Sequence, residues 1–326
     1  MQIEFWYVGI AAIGMSLILG TLVLPLLTRL RLGQIIRADG PQSHLSKKGT
    51  PTMGGIIFLT STLALLWLFG LQMSLDPARL MVISVLTLGF GVVGLIDDAL
   101  KVVFRRPLGL LAREKLSWQA LLTVSAALIL YFAGHSTHVV VPVLGFGLEL
   151  GPLYWALLLL WGMGFSNAVN LTDGVDGLAA GTVAISSLAY AVVGLVVDVP
   201  EAVLFAVALT GSLLGFLYFN THPARIFMGD VGSLALGGGL VAMSVLTKTE
   251  LLLPVIGLIY VWSTLSVMLQ VAFFRLSHGR RLFRMAPFHH ALELRGWSET
   301  KIVMTYYCVG LLCAVLGLLG LRGMGG

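Results

Sequence analysis

Ten stretches of this chain carry no Asp, Glu, Lys or Arg: residues 5–28, 49–75, 80–96, 116–148, 150–172, 177–197, 202–224, 231–247, 251–274 and 302–321. Each can hold the roughly 17–25 residues that a helix needs to cross a bilayer. Lipid offers the backbone no hydrogen-bond partner, so such runs must be helices. The expected fold is therefore all-α, a polytopic integral membrane protein with about ten transmembrane helices, in a single domain spanning 1–326. A composition of 58% hydrophobic and 11% charged residues excludes a water-soluble fold. The first run has no basic leader and exceeds the roughly 7–15-residue core of a signal peptide, so it reads as a retained span.

Charge sets the orientation. Of the 20 basic residues, all but Arg79, Lys248 and Arg322 fall in loops that follow odd-numbered runs, from Arg29 to Lys301. The positive-inside rule places those loops in the cytoplasm and both termini in the periplasm or outside. The net charge of +5 is then topological and implies no nucleic-acid partner. On the outer side, the Val-, Gly- and Pro-rich segment 135–150 reads as a short hairpin, with His135 and His138 as surface residues. Cys308 and Cys313 both lie in the last apolar run and read as ordinary small apolar side chains.

The scarce acidic residues carry the functional signal. Asp97 and Asp98 stand in GLIDDALK, Asp173 and Asp176 in NLTDGVDGLAAG, and Asp230 in FMGDVGS, all at span ends on the cytoplasmic side. Ionisable groups at membrane depth are costly and usually mark an ion, proton or substrate path. Five from three distant segments imply a shared acidic site that needs a cation to relieve its self-repulsion. Carboxylates suit Mg²⁺, which is commonly held together with substrate phosphates.

Lys47, Lys48, Lys101, Arg113 and Lys115 are available as phosphate donors, Lys101 standing one helical turn from the aspartate pair. His289 and His290, in MAPFHHALELRGW, suit phosphate contact or proton transfer. The glycine-rich GTPTMGG, residues 49–55, serves either close helix packing or backbone contact with phosphate. GTPTMGG matches neither the dinucleotide fingerprint nor Walker A, and the zinc-protease and nucleophile-elbow patterns are absent from the chain.

Taken together, HLSKKGTPTMGG (44–55), GLIDDALK (94–101), NAVNLTDGVDGLAAG (167–181), NTHPARIFMGDVGSLALGG (220–238) and APFHHALELRGW (286–297) resemble the signature blocks of the MraY family of phospho-N-acetylmuramoyl-pentapeptide transferases. The acidic blocks are shared with the wider polyprenyl-phosphate N-acetylhexosamine-1-phosphate transferase superfamily. The resemblance implies transfer from UDP-MurNAc-pentapeptide to undecaprenyl phosphate, giving lipid I and UMP, with Mg²⁺, in the bacterial inner membrane. It also implies a homodimer.

By motif position the resemblance makes Asp230 the metal ligand. Asp97, Asp98 and Asp230 become catalytic, with one of the Asp97–Asp98 pair deprotonating the lipid phosphate for direct attack or, in the alternative route, an aspartate acting as covalent nucleophile. His289 becomes a catalytic residue. Asn170 and Asp173 fall near the metal, and Gly174, Val175, Asp176, Asn220 and Phe227 at the uridine, with Phe227 stacking on the base. Lys48, Thr52, Lys101, Lys115 and His290 become further substrate contacts. The family's third histidine is Ala291 here, which removes any role resting on it. Two alternatives stay open: a sister enzyme that uses UDP-GlcNAc, and an ion-coupled transporter, although transporters tend to place carboxylates near the bilayer midplane.

Overall fold

The computed structural model describes residues 2–30, 47, 49–106, 108–142 and 144–321. Lys48, an expected substrate contact, lies outside the described residues, as do Arg31, Arg37 and Arg322 of the charge count.

The helices run α1 (Gln2–Arg29), α2 (Gly55–Gln72), α3 (Pro77–Ser84), α4 (Phe90–Val102), α5 (Ala112–Phe132), α6 (Leu153–Thr172), α7 (Leu178–Val196), α8 (Pro200–Asn220), α9 (Gly229–Leu246), α10 (Leu253–Ile256), α11 (Leu258–Leu276), α12 (Phe288–Glu293) and α13 (Glu299–Gly320). A π turn, Val85–Gly89, joins α3 to α4 without a break, so these two form one rod. Nine of the described rods are long and apolar enough to cross a membrane. The tenth expected span is α6: its 20 residues suffice in length, but Asn167 and Asn170 near its end dilute its apolar character. The chain is an all-α, multi-pass membrane protein.

Helix α9 is the hub. Every residue from Val231 to Leu246 is buried, and α2, α4, α6 and α7 pack around it. Close approach depends on glycine at two crossings. A Cβ at Gly94 of α4 would land on the Asp230 backbone carbonyl, and one at Gly55 of α2 on Gly232. These contacts draw the ends of α2 and α4 against the start of α9.

One face of α4 is buried: Phe90, Gly91, Val93, Gly94, Asp97 and Asp98. The spacing is that of a helical stripe, so the packing that seats Phe90 and Val93 also turns both carboxylates inward. At the other end of the bundle the expected hairpin forms, pairing His138–Val140 antiparallel with Gly147–Glu149.

His135 departs from the surface reading. It is half-buried and bonded at 3.0 Å to Tyr154 Oη. Burial, helped by the charges of Lys248 and Arg79, pushes its pKa down to about 3, so the ring is neutral. Cys308 is exposed and Cys313 buried, both as free thiols.

Candidate active site

Three helix ends converge on Asp230. It occupies the first turn of α9, where a carboxylate complements the helix dipole. Asn170 at the end of α6 donates to Asp230 Oδ1 at 2.9 Å and to Ser233 Oγ at 2.8 Å. Lys101 of α4 and Lys115 of α5 both reach Asp230 Oδ2, at 3.1 and 2.7 Å. The same two ammonium groups reach Asp97 Oδ2, at 2.5 and 3.3 Å. Asp97 Oδ1 accepts from Leu110 N at 2.7 Å.

Asp98 is held differently. Its Oδ2 accepts from Val231 N at 3.1 Å, and it forms no ion pair with a described residue. Gly229, with φ of 70°, lets the chain enter α9 against this carboxylate; a Cβ there would collide with Asp98 Oδ2 and sit 2.8 Å from Thr52 Oγ1. Thr52 is itself buried. Oxygens of Asp97, Asp98 and Asp230 lie within 4.8 Å of one another. Three carboxylates against two ammonium groups leave one net negative charge in a half-buried, oxygen-rich site, the donor set that Mg²⁺ prefers.

A second cluster anchors the loop after α6. Asp176 is buried: Oδ1 accepts from Lys47 Nζ at 2.7 Å, Oδ2 accepts from Ala224 N at 3.0 Å, and His222 Nδ1 stands 3.0 Å from Oδ2. Lys47 also pairs with Glu299 Oε2 at 2.7 Å, at the start of α13. Burial alone would lower the Lys47 pKa, but the hydrogen bonds and charges of Asp176 and Glu299 raise it, so this lysine stays charged. Asn220 completes the clamp, accepting from Gly177 N at 3.2 Å and donating to Ile226 O at 2.9 Å. Two of the five expected uridine contacts, Asp176 and Asn220, thus use their polar atoms to hold loops together. Val175 is buried beside them, and the Phe227 ring remains half-buried. The Phe227 backbone accepts from Gly54 N and donates to Pro51 O, at 2.8 and 2.9 Å, tying GTPTMGG to this wall.

Asp173 stands between the two clusters. Burial first, then the negative charges of Asp230, Asp98 and Asp176, push its pKa up to about 8. Next to it, Gly174 packs against the histidine pair: a Cβ there would strike His289 Nε2 and lie 2.9 Å from His290 Nε2. His289 is fully buried, its ring 4.3 Å from that of His290, whose Nδ1 is 2.5 Å from Glu293 Oε2. Ala291 is buried beside them.

The structure thus gathers Asp97, Asp98, Asp230, Lys101, Lys115, Asn170 and Thr52 around one centre. Asp176, Asn220, Val175 and Phe227 line an adjoining wall, and Gly174, His289 and His290 lie against the connecting loop. His222 and Glu299 are additions that sequence reading does not reach, since nothing in their local pattern links them to Asp176. Lys47, one of several candidate phosphate donors, emerges instead as the bridge of this second cluster.

A multi-pass helical protein whose span ends assemble carboxylates, lysines and glycine-rich loops belongs among membrane transferases that handle phosphates. The glycosyl transferase family 4 model matches residues 80–248, and signature 1 of the phospho-N-acetylmuramoyl-pentapeptide-transferases matches residues 47–59. The phospho-N-acetylmuramoyl-pentapeptide-transferase of Desulforudis audaxviator is 50% identical over 322 residues, covering 95% of this chain and 96% of the relative. That of Pelotomaculum thermopropionicum is 48% identical over 98% of both chains, and that of Shouchella clausii 45% over 95% of both. The chain belongs to the phospho-N-acetylmuramoyl-pentapeptide-transferase family, and its activity is the lipid I-forming step of peptidoglycan synthesis. Family membership sets aside the sister-transferase and transporter readings.

Proposed function

We propose that the chain moves phospho-N-acetylmuramoyl-pentapeptide from UDP-MurNAc-pentapeptide to undecaprenyl phosphate at the cytoplasmic face of the bacterial inner membrane, as a homodimeric Mg²⁺ enzyme in one domain. The observation that carries this reading is the shared grip of Lys101 and Lys115 on Asp97 and Asp230. Two ammonium groups on two carboxylates are poised to exchange those partners for phosphate oxygens. Asp230, with Asp97 and Asp98 beside it, has the oxygen donors and spacing to hold Mg²⁺. Bound there, the ion supplies charge neutralisation for the diphosphate.

The residues divide the remaining work. Lys101 and Lys115 bind the phosphates that meet at the centre. Those lysines cover both Asp97 and Asp230; with Asp230 reserved for the metal, phosphate binding uncovers Asp97 as proton acceptor for the lipid phosphate. An acceptor oxygen then bonds to the β-phosphorus, and the bond from that phosphorus to the bridging oxygen breaks. UMP leaves with the bridging oxygen. Asp98, fixed to the α9 backbone, positions the start of α9. Gly174, Val175, Asp176, Asn220 and Phe227 frame the uridine, with Phe227 stacking on the base. His289 and His290 contact phosphate from the loop side.

Asp97→Asn tests the assignment. It is expected to lower kcat by about 10²–10⁴-fold, the usual worth of a positioned base, with little change in nucleotide KM and loss of the acidic limb of the pH profile. Release of one equivalent of UMP without any lipid acceptor would instead mean a covalent enzyme intermediate and overturn direct transfer.

A further inference from the structure

Helix α11 lies at the edge of the bundle with most of its surface uncovered. After Leu276 the chain doubles back along it. Phe283 N donates to Gln270 Oε1 at 2.8 Å and Phe288 N to Ser266 Oγ at 3.1 Å. The rings of Trp262, Phe283 and Phe288 pack edge-on, two of the three pairs at 5.5 Å between centroids. Between helix and returning segment lies a groove of about 470 Å³, whose lining includes Val271, Phe274 and Met285 together with Arg275, Arg281 and Arg284.

The three arginines are exposed, and none forms an ion pair with a described residue. Arg281 donates to the Arg284 carbonyl at 3.3 Å and Arg284 to the Leu294 carbonyl at 3.2 Å, which orders the guanidinium groups without neutralising them. Three unneutralised cations beside an apolar channel select a ligand that is both anionic and hydrocarbon-tailed. A nucleotide has no chain for the channel, and a zwitterionic lipid brings its own ammonium to the arginines.

We propose that this groove binds an anionic glycerophospholipid, its headgroup phosphate on Arg275, Arg281 and Arg284 and an acyl chain along Val271 and Phe274. Ala286 also lines the groove and is followed directly by Pro287 and by α12, which holds His289 against Gly174. A lipid seated there braces the segment that positions the histidine pair. The site stands apart from the transfer reaction and does not depend on its assignment.

Native mass spectrometry of the purified protein, exchanged into detergent with equal amounts of chain-matched phosphatidylglycerol and phosphatidylcholine, reads the site directly. Wild type is expected to retain phosphatidylglycerol. Juxtamembrane arginines contribute about fivefold each to anionic-lipid binding, so the Arg275→Gln, Arg281→Gln, Arg284→Gln variant should lose about a hundredfold in affinity. Neither glycerol phosphate nor undecaprenyl phosphate at equal concentration should displace the bound lipid. Equal retention of both phospholipids by wild type, or undiminished retention of phosphatidylglycerol by the triple variant, overturns the proposal. So does displacement by glycerol phosphate, which would mark a bare phosphate site, or by undecaprenyl phosphate, which would make the groove the acceptor's seat. If the triple variant fails to fold, Arg281→Gln alone, at an exposed position, should show a loss of about fivefold, and no loss overturns the proposal equally.

Discussion

Replacing Gly174 by alanine adds one methyl group at the point where the Asp173–Gly177 loop meets the histidine pair. That methyl would lie 2.9 Å from His290 Nε2 and closer still to His289 Nε2, whereas ordinary Cβ contacts lie at 3.4–4 Å. One of the two sides must therefore retreat by about 1 Å, a misplacement of the size that costs a positioned group about a hundredfold in rate. Escape is restricted. His289 is fully buried, and Gly174 is followed by buried Val175 and by Asp176 in its clamp. Overpacking of this kind typically destabilises by about 1–3 kcal/mol. Purified Gly174→Ala, assayed by UMP release and by thermal unfolding in the same detergent, should show kcat down about a hundredfold and a lowered midpoint. Wild-type turnover at a wild-type midpoint would refute both the packing of His289 on the loop and its share in the reaction.

Further outcomes follow from the same geometry. Lys115→Met removes two charge-assisted contacts, each of a kind worth about 1.5–3 kcal/mol, and should reduce kcat/KM by at least about tenfold, measured at saturating lipid acceptor. The raised pKa of Asp173 fixes a sign for pH dependence. Its folded-state value, about 8, lies above the ordinary carboxylate value of 3.8, so the folded state binds the extra proton and metal-free stability falls as pH rises between the two. Asp173→Asn in EDTA should therefore raise the thermal midpoint more at pH 8 than at pH 4, and an equal rise at both would contradict the burial argument. Excess EDTA should abolish turnover of the wild type, restored by Mg²⁺; full activity in EDTA would rule out the metal. For orientation, a cysteine introduced at Arg281 should resist an impermeant thiol reagent in intact cells, and rapid labelling would reverse the topology.

The legibility of this site in the sequence follows from how each residue is positioned. Asp97 and Asp98 were readable because the helical period of α4 places them on the stripe of Phe90, Val93 and Gly94, and because carboxylates are scarce in apolar surroundings. The charge-free runs located the helices but not their ends. The run from residue 80 to 96 is the middle of the rod from Pro77 to Val102, and the run from 116 to 148 holds both α5 and the hairpin. What the chain does not encode locally is which distant residues meet. Lys115 finds Asp230 from 115 positions away, and Lys47 finds Glu299 from 252. No local pattern marks Glu299 or His222 as partners of Asp176, since the first reads as a helix-start acid and the second as a loop histidine. His135 was misread for the same reason: its partner Tyr154 arrives from beyond the hairpin. The resemblance supplied roles for motif residues, and to two of them, Asp176 and Asn220, the structure adds hydrogen bonds that clamp neighbouring loops.

The central claim is that the lysine–aspartate centre passes phospho-N-acetylmuramoyl-pentapeptide to a lipid phosphate. Detergent-purified protein, given Mg²⁺, undecaprenyl phosphate and either UDP-MurNAc-pentapeptide or UDP-GlcNAc, should release UMP with the first donor and not with the second. Release with UDP-GlcNAc alone, or with neither donor, would contradict it.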